Sequence, residues 1–195
     1  MPAPTDLFVA GLVLAAGGSR RLGQPKQLLP FGPATLLDHT LNTARRCRFR
    51  QLLVAIGGAA DDVRARVDLS GAEVIVNDDY RAGCSSSIGA AMAAIDRRAD
   101  LVVLLLGDQP GVTSDTVAAL LAGRGDAALA VCRYNDGLGH PFCFSRDLFD
   151  TLRGLHGDKA VWKLVAAGGD AVAKVHVDGP VPIDVDTWAD YEAVR

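Results

Sequence analysis

Apolar residues recur along this chain in two rhythms that take turns. Phe8–Leu14, Gln51–Ile56, Glu73–Val76 and Leu101–Leu106 are short runs rich in Val, Ile and Leu, each bounded by Gly, Asn or Asp, and they predict buried strands. Between them Leu36, Leu37, Thr40, Leu41 and Ala44, then Val63 and Val67, then Ile88, Ala91, Met92 and Ile95 fall at helical spacing. The second half continues the alternation. Val117–Leu121 reads as helix, Ala127–Cys132 as a fifth strand, and Phe142–Phe144 as a short strand able to pair beside it. Leu148–Leu152 and Ala160–Ala167 read as helices, Val172–Val177 as a strand and Trp188–Val194 as a closing helix.

Near-continuously apolar strands imply a sheet covered on both faces, and parallel neighbours need helical crossovers. The expected fold class is therefore α/β: a three-layer α/β/α domain with a mostly parallel, Rossmann-like sheet. No repeat, low-complexity tract or charge block divides the chain, so residues 1–195 are read as one domain.

Composition adds exclusions. With 195 residues, 49% hydrophobic and 22% charged, the chain can bury a core. A formal net charge of −3 speaks against general affinity for nucleic acid or anionic membrane. The apolar run Leu101–Leu106 is far too short to cross a bilayer, and Met1 to Asp6 lacks the basic start and apolar centre of a signal peptide. Cys47, Cys84, Cys132 and Cys143 form no C-x-x-C pair, so reduced thiols in a cytoplasmic protein are expected.

Positive charge gathers in one place. Leu14-Ala15-Ala16-Gly17-Gly18-Ser19-Arg20-Arg21-Leu22-Gly23-Gln24-Pro25-Lys26 follows the first strand directly, where an open parallel sheet binds its ligands. Glycines there let backbone N–H groups approach phosphate oxygens, Arg offers a planar fork and Lys a point charge. The plainer alternative is a tight glycine turn with solvated arginines. The segment spells neither a P-loop nor G-x-G-x-x-G. Asp108 ends the Leu101–Leu106 run, where a rigidly held carboxylate suits Mg2+; a helix cap is its alternative, but Thr113 and Ser114 are better placed for that. Ser85 is a candidate N-cap for the helix through Ile88. His140 either meets an acceptor phosphate or satisfies a turn.

Taken together these segments resemble the molybdopterin nucleotidyltransferases, the MobA-like NTP transferases, with the molybdenum cofactor cytidylyltransferase branch nearest. Leu14 to Gly23 fit L-A-A-G-x-[GS]-x-R-[ML]-G, and Lys26 fits the lysine that follows. Asn77 to Gly89 is similar to the N-x-x-(W/Y)-x-x-G-x-x-x-S-(I/L) segment, Gly107-Asp108-Gln109-Pro110 to the branch's tetrapeptide, and Gly137-Leu138-Gly139-His140-Pro141 to G-x-G-H-P. Gly157-Asp158-Lys159 resembles G-D-x-G-A, with Lys159 a departure. Ile183-Asp184-Val185-Asp186-Thr187 resembles the D-I-D-T close, with Trp188 replacing the usual proline and weakening the helix start.

The resemblance implies that Lys26, Arg21 and Asp108 are catalytic, and that Leu14, Ala15, Ala16, Gly17, Gly18, Ser19, Arg20, Asn77, Gly83, Ser85, Ser86 and Ser87 bind the nucleotide. It puts Gln109, Pro110, Gly139 and His140 on the acceptor side. It makes Asp108 and Asp184 the ligands of Mg2+, with Asp186 as substitute for Asp184. The implied reaction moves CMP from CTP to the phosphate of molybdopterin and releases pyrophosphate, with a molybdoenzyme or chaperone as a further partner. Ala15-Ala16 favours CTP over GTP within that family. Alternatives are guanylyl transfer, another phosphorylated acceptor such as a sugar 1-phosphate, or a non-catalytic nucleotide-binding module. A doubly wound NAD-binding oxidoreductase is disfavoured, because Gly57-Gly58 stand where an acidic residue should end the second strand.

Overall fold

The computed structural model describes residues 7–157 and 159–195, so the leader reading of Met1 to Asp6 and the resemblance at Asp158 lie outside the described residues. The strands are β1 (Val9–Ala15), β2 (Pro30–Phe31), β3 (Ala34–Thr35), β4 (Gln51–Ile56), β5 (Glu73–Val76), β6 (Leu101–Leu106), β7 (Leu129–Arg133), β8 (Leu138–Ser145) and β9 (Val172–His176). The helices are α1 (Leu36–Arg46), α2 (Ala60–Arg66), α3 (Cys84–Ala93), α4 (Ser114–Gly123), α5 (Phe149–Arg153), α6 (Ala160–Gly168) and α7 (Trp188–Val194).

Seven strands form one sheet in the order β5-β4-β1-β6-β8-β7-β9, and β2 and β3 make a separate small hairpin. β1 pairs in parallel with β4 and β6, β4 with β5, and β7 with β9; β8 runs antiparallel between β6 and β7. The sheet is therefore mostly parallel. The central strands are buried over almost their full length, and each alternate set of side chains enters its own core. Leu12, Leu14, Leu53, Leu104, Ile88 and Met92 meet on one face; Val13, Val54, Val103, Leu37, Leu41 and Val117 meet on the other. Helices thus cover both faces of the sheet. A third, smaller cluster of Leu22, Leu29, Leu36, Val185 and Tyr191 pins the last helix against the loop after β1.

Several boundaries differ from those expected. The first strand is shifted by one residue, because Ala15 still pairs with Ile56. The strand expected at Phe142–Phe144 is eight residues long, since Leu138 and Gly139 pair across a bulge with Arg133 and Cys132. Its position between β6 and β7 is a long-range pairing with no local signature. The β2–β3 hairpin was not expected, as two-residue strands carry no period; Gly32 supplies the left-handed turn at φ 57°. α3 begins earlier than expected. Its N-cap is Gly83, not Ser85, with φ 105°, and Ser85 is buried in the first turn. α7 starts at Trp188 as expected, and the lost proline is offset by a capping box between Thr187 and Asp190. Among the described residues no helix is long and apolar enough to cross a membrane.

Candidate active site

The carboxyl ends of β1 and β6 open into a cleft of about 640 Å³. Its floor is the loop after β1. Leu14 through Arg21 all line it, together with Lys26 and Gln27. The loop owes its shape to local hydrogen bonds. Ser19 adopts φ 48°, a left-handed conformation uncommon outside Gly and Asn, and its Oγ accepts from the Lys26 backbone N–H at 2.9 Å. The Ser19 carbonyl accepts from the N–H groups of Leu22 and Gly23. Buried Gln27 donates to the carbonyls of Ala15 (2.7 Å) and Gly17 (3.0 Å), and so ties the loop to the start of the next segment.

Beside this floor lies a charged cluster. The Lys26 ammonium pairs with Asp108 and, at 2.7 Å, with Asp186, while the Arg21 guanidinium pairs with Asp186. Asp184 lines the same cleft. A backbone hydrogen bond from Val185 N to the Asp108 carbonyl, 3.0 Å, holds the two aspartate-bearing segments together although they are far apart in sequence. Burial works against the Lys26 ammonium, but Asp108 and then Asp186 outweigh it and keep its pKa above the ordinary lysine value. Asp186 also loses hydration, yet Lys26 and Arg21 hold its pKa below the usual carboxylate range. Asp184 goes the other way. Desolvation, then the like charges of Asp108 and Asp186, push it up to about 6, and the attractions of Lys26 and Gln109 do not compensate.

Three carboxylates thus face two cations in a small volume, and the residual strain is negative charge on Asp184. Hard oxygen donors with excess negative charge are what Mg2+ or Mn2+ takes, usually one or two carboxylates completed by substrate phosphates and water. The residues present fit such an ion. Among the described residues no group of three or more His, Cys, Asp or Glu is placed to hold a metal ion by itself.

The remaining expected residues divide. Gly83 and Ser87 line the cleft, with Tyr80, Arg81 and Cys84 alongside. Asn77 and Ser86 lie one layer behind: the Asn77 amide donates to Ser86 Oγ (2.8 Å) and Ser87 Oγ (2.9 Å), fixing the turn that presents Gly83 and Ser87. Ser85 is 4% exposed. On the other flank His140 lines the cleft from within β8, so it does not sit in a turn. Gln109 is buried and its amide donates to the Pro182 carbonyl at 3.3 Å. Gly139 packs against Tyr134 and Val181, and Pro110 borders a second cavity with Phe31 and His39. Sequence reasoning passed over Gln27, Arg81, Val161 and Trp162, which also line the cleft. For Trp162 a signal existed in the large aromatic on the polar side of a helical pattern, since it remains 37% exposed.

A glycine loop along the cleft, a paired lysine and clustered carboxylates at the carboxyl edge of a mostly parallel sheet are the parts of a nucleotidyltransferase. The chain belongs to the MobA-like NTP transferase family, whose model matches residues 11–173. It is 35% identical over 133 residues to the nicotine blue oxidoreductase of Paenarthrobacter nicotinovorans, covering 67% of this chain and 65% of that one. It is 32% identical over 136 residues to the molybdenum cofactor cytidylyltransferase of Escherichia coli strain K12, covering 69% of each. The chain thus spans about two thirds of the length of these two relatives. Among solved structures, Rv0371C of Mycobacterium tuberculosis H37Rv in complex with manganese superposes with a TM-score of 0.86 at 47% identity, covering 96% of this chain and 97% of that one.

Proposed function

We propose that this enzyme transfers CMP from CTP to the phosphate of molybdopterin, with Mg2+ as its metal. The observation that carries the reading is the position of Lys26, paired with Asp108 and Asp186 at the mouth of the Ala15–Gly18 loop. In the proposed reaction an acceptor phosphate oxygen attacks the α-phosphorus of CTP in line. The bond to the α–β bridging oxygen breaks, and pyrophosphate leaves with the electron pair. The attacking oxygen is already anionic and needs no general base, so the protein's work is alignment and charge neutralisation. Loop amides from Gly17 to Ser19 cradle the triphosphate, Lys26 and Arg21 neutralise its oxygens, and Asn77 holds Gly83 and Ser87 toward the nucleoside. Asp108 and Asp184 hold Mg2+, which when bound supplies Lewis-acid stabilisation of charge on the phosphates. Asp186 serves here as the partner that orients Lys26 and Arg21.

The preference for cytidine rests on Ala16. Ala16 lines the cleft, and its Cβ stands close to Gly57, 3.0 Å from where a Cβ on residue 57 would lie. Resemblance to the E. coli cytidylyltransferase supports the same choice. The test is pyrophosphate release with CTP, GTP and ATP, with molybdopterin, with a sugar 1-phosphate or with no acceptor, in Mg2+ and in EDTA. Release with CTP and molybdopterin in Mg2+ is expected. Release with GTP instead, or with a sugar 1-phosphate in place of molybdopterin, would overturn the assignment of donor or acceptor respectively.

A further inference from the structure

The charged cluster sits mid-cleft, because β1 and β6 are adjacent central strands. An in-line transfer centred there brings the acceptor in opposite the departing pyrophosphate, so acceptor and nucleoside occupy different parts of the cleft. Toward β5 the lining is polar: Tyr80, Arg81 and Ser87, with Gly83. Toward β8 the character changes. Phe142 pairs with Leu104, so His140 lies two residues further along, level with the end of β6. Leu104, Leu106, His140, Val161 and Trp162 line this flank.

Among the described residues that line this flank none carries a charge at working pH. His140 is held neutral, its pKa pushed down to about 3 by burial. Trp162 keeps over a third of its surface exposed while its ring meets Phe142 at 5.0 Å and His140 at 6.1 Å, both edge to face. Those contacts hold the indole in place at the wall of the cleft. A sugar placed here would bury hydroxyls against apolar side chains with one neutral imidazole as side-chain partner, and unpaired buried hydroxyls are costly. A flat heteroaromatic ring instead gains from stacking its apolar faces on an indole, with its polar groups confined to its edge.

We propose that Trp162 selects the acceptor: its indole, braced by Phe142 and His140, holds a flat heteroaromatic ring attached to the acceptor phosphate, and excludes sugar phosphates. This rests on the transferase reading above and adds the residue that enforces it. The direct test is calorimetric binding of two probes, CTP and a pterin bearing a single side-chain phosphate, to the wild-type chain, Trp162→Leu and Trp162→Phe. Thermal midpoints are recorded for all three proteins. Trp162→Leu is expected to weaken pterin phosphate by about tenfold or more, the lower part of the range for loss of one stacking platform. Trp162→Phe, which keeps a flat ring, retains most of the affinity, and CTP binding is unchanged in both.

Loss of CTP affinity in Trp162→Leu with pterin phosphate unaffected would overturn the proposal, as the indole would then serve the nucleotide base. Equal binding of both probes by all three proteins would overturn it too, as would unselective weakening that follows a drop in thermal midpoint. If Trp162 governs pterin binding but no pyrophosphate is released with CTP and molybdopterin, the aromatic contact stands and the reaction assigned above fails.

Discussion

Lys26 joins two carboxylates of the cleft, and its loss is felt by both. Lys26→Met keeps the length of the stem but leaves Asp108 without its ammonium partner and Asp186 with Arg21 alone. Removing a preorganised charge of this kind costs about 10² to 10³ in kcat, and steady-state pyrophosphate release is expected to show it with the CTP KM moving less. Asp184 gives a prediction of opposite sign for stability and for metal binding. Its folded pKa of about 6 lies above the ordinary carboxylate value of 3.8, so the folded state prefers the protonated form. The ionised carboxylate therefore opposes folding above about pH 6, and the penalty disappears as pH falls below the unfolded value. Asp184→Asn should raise the thermal midpoint of the metal-free protein at pH 7.5, with the difference gone near pH 4. Added Mg2+ should reverse the order at pH 7.5 by stabilising only the wild type. A midpoint that drops in the metal-free variant would contradict this account of Asp184.

At the scale of elements, the site depends on how tightly loops pack against one another. A Cβ on Gly57 would lie 2.8 Å from Tyr80 Cβ and 3.0 Å from the Ala16 carbonyl oxygen, both too close for undisturbed packing. Gly57→Ala must displace either the loop after β1 or the turn carrying Tyr80. A several-fold rise in the KM for CTP with a well-folded circular dichroism spectrum is expected, and an unchanged KM would show that the two loops are not coupled there. The capping box of α7 anchors the segment that bears Asp184 and Asp186. Thr187→Ala removes one cap and should cost about 1 kcal/mol in denaturant unfolding. These elements differ in how far they could be read in advance. β4 and β6 and the extent of α7 were legible because unbroken apolar runs and a clear helical pattern are local signals. The start of α3 was not, since Gly83 takes a positive φ that no spacing announces and the obvious capping serine is buried instead. The full length of β8 escaped notice because Leu138 and Gly139 are strand only by pairing with β7.

Across the whole molecule, the sheet order brings together segments separated by most of the chain. Lys26, Asp108, Asp184 and Asp186 were each singled out in the sequence, and the fold gathers them beside one glycine loop. What the sequence did not disclose was the division among the carboxylates: Asp108 and Asp186 pair with the cations, while Asp184 is left with unrelieved negative charge. That division depends on distances across the cleft and has no pattern in one dimension. The aromatic flank was equally hidden, because β8 and α6 meet only in the folded chain. The central claim is that this cluster binds a divalent cation between Asp108 and Asp184, with the triphosphate on the loop beside it. Anomalous scattering from a crystal of the protein grown with Mn2+ and CTP tests it most directly. The account predicts a single strong peak within bonding distance of carboxylate oxygens of both Asp108 and Asp184, with CTP phosphates alongside. A peak elsewhere, or one on Asp186 without Asp108, would contradict it.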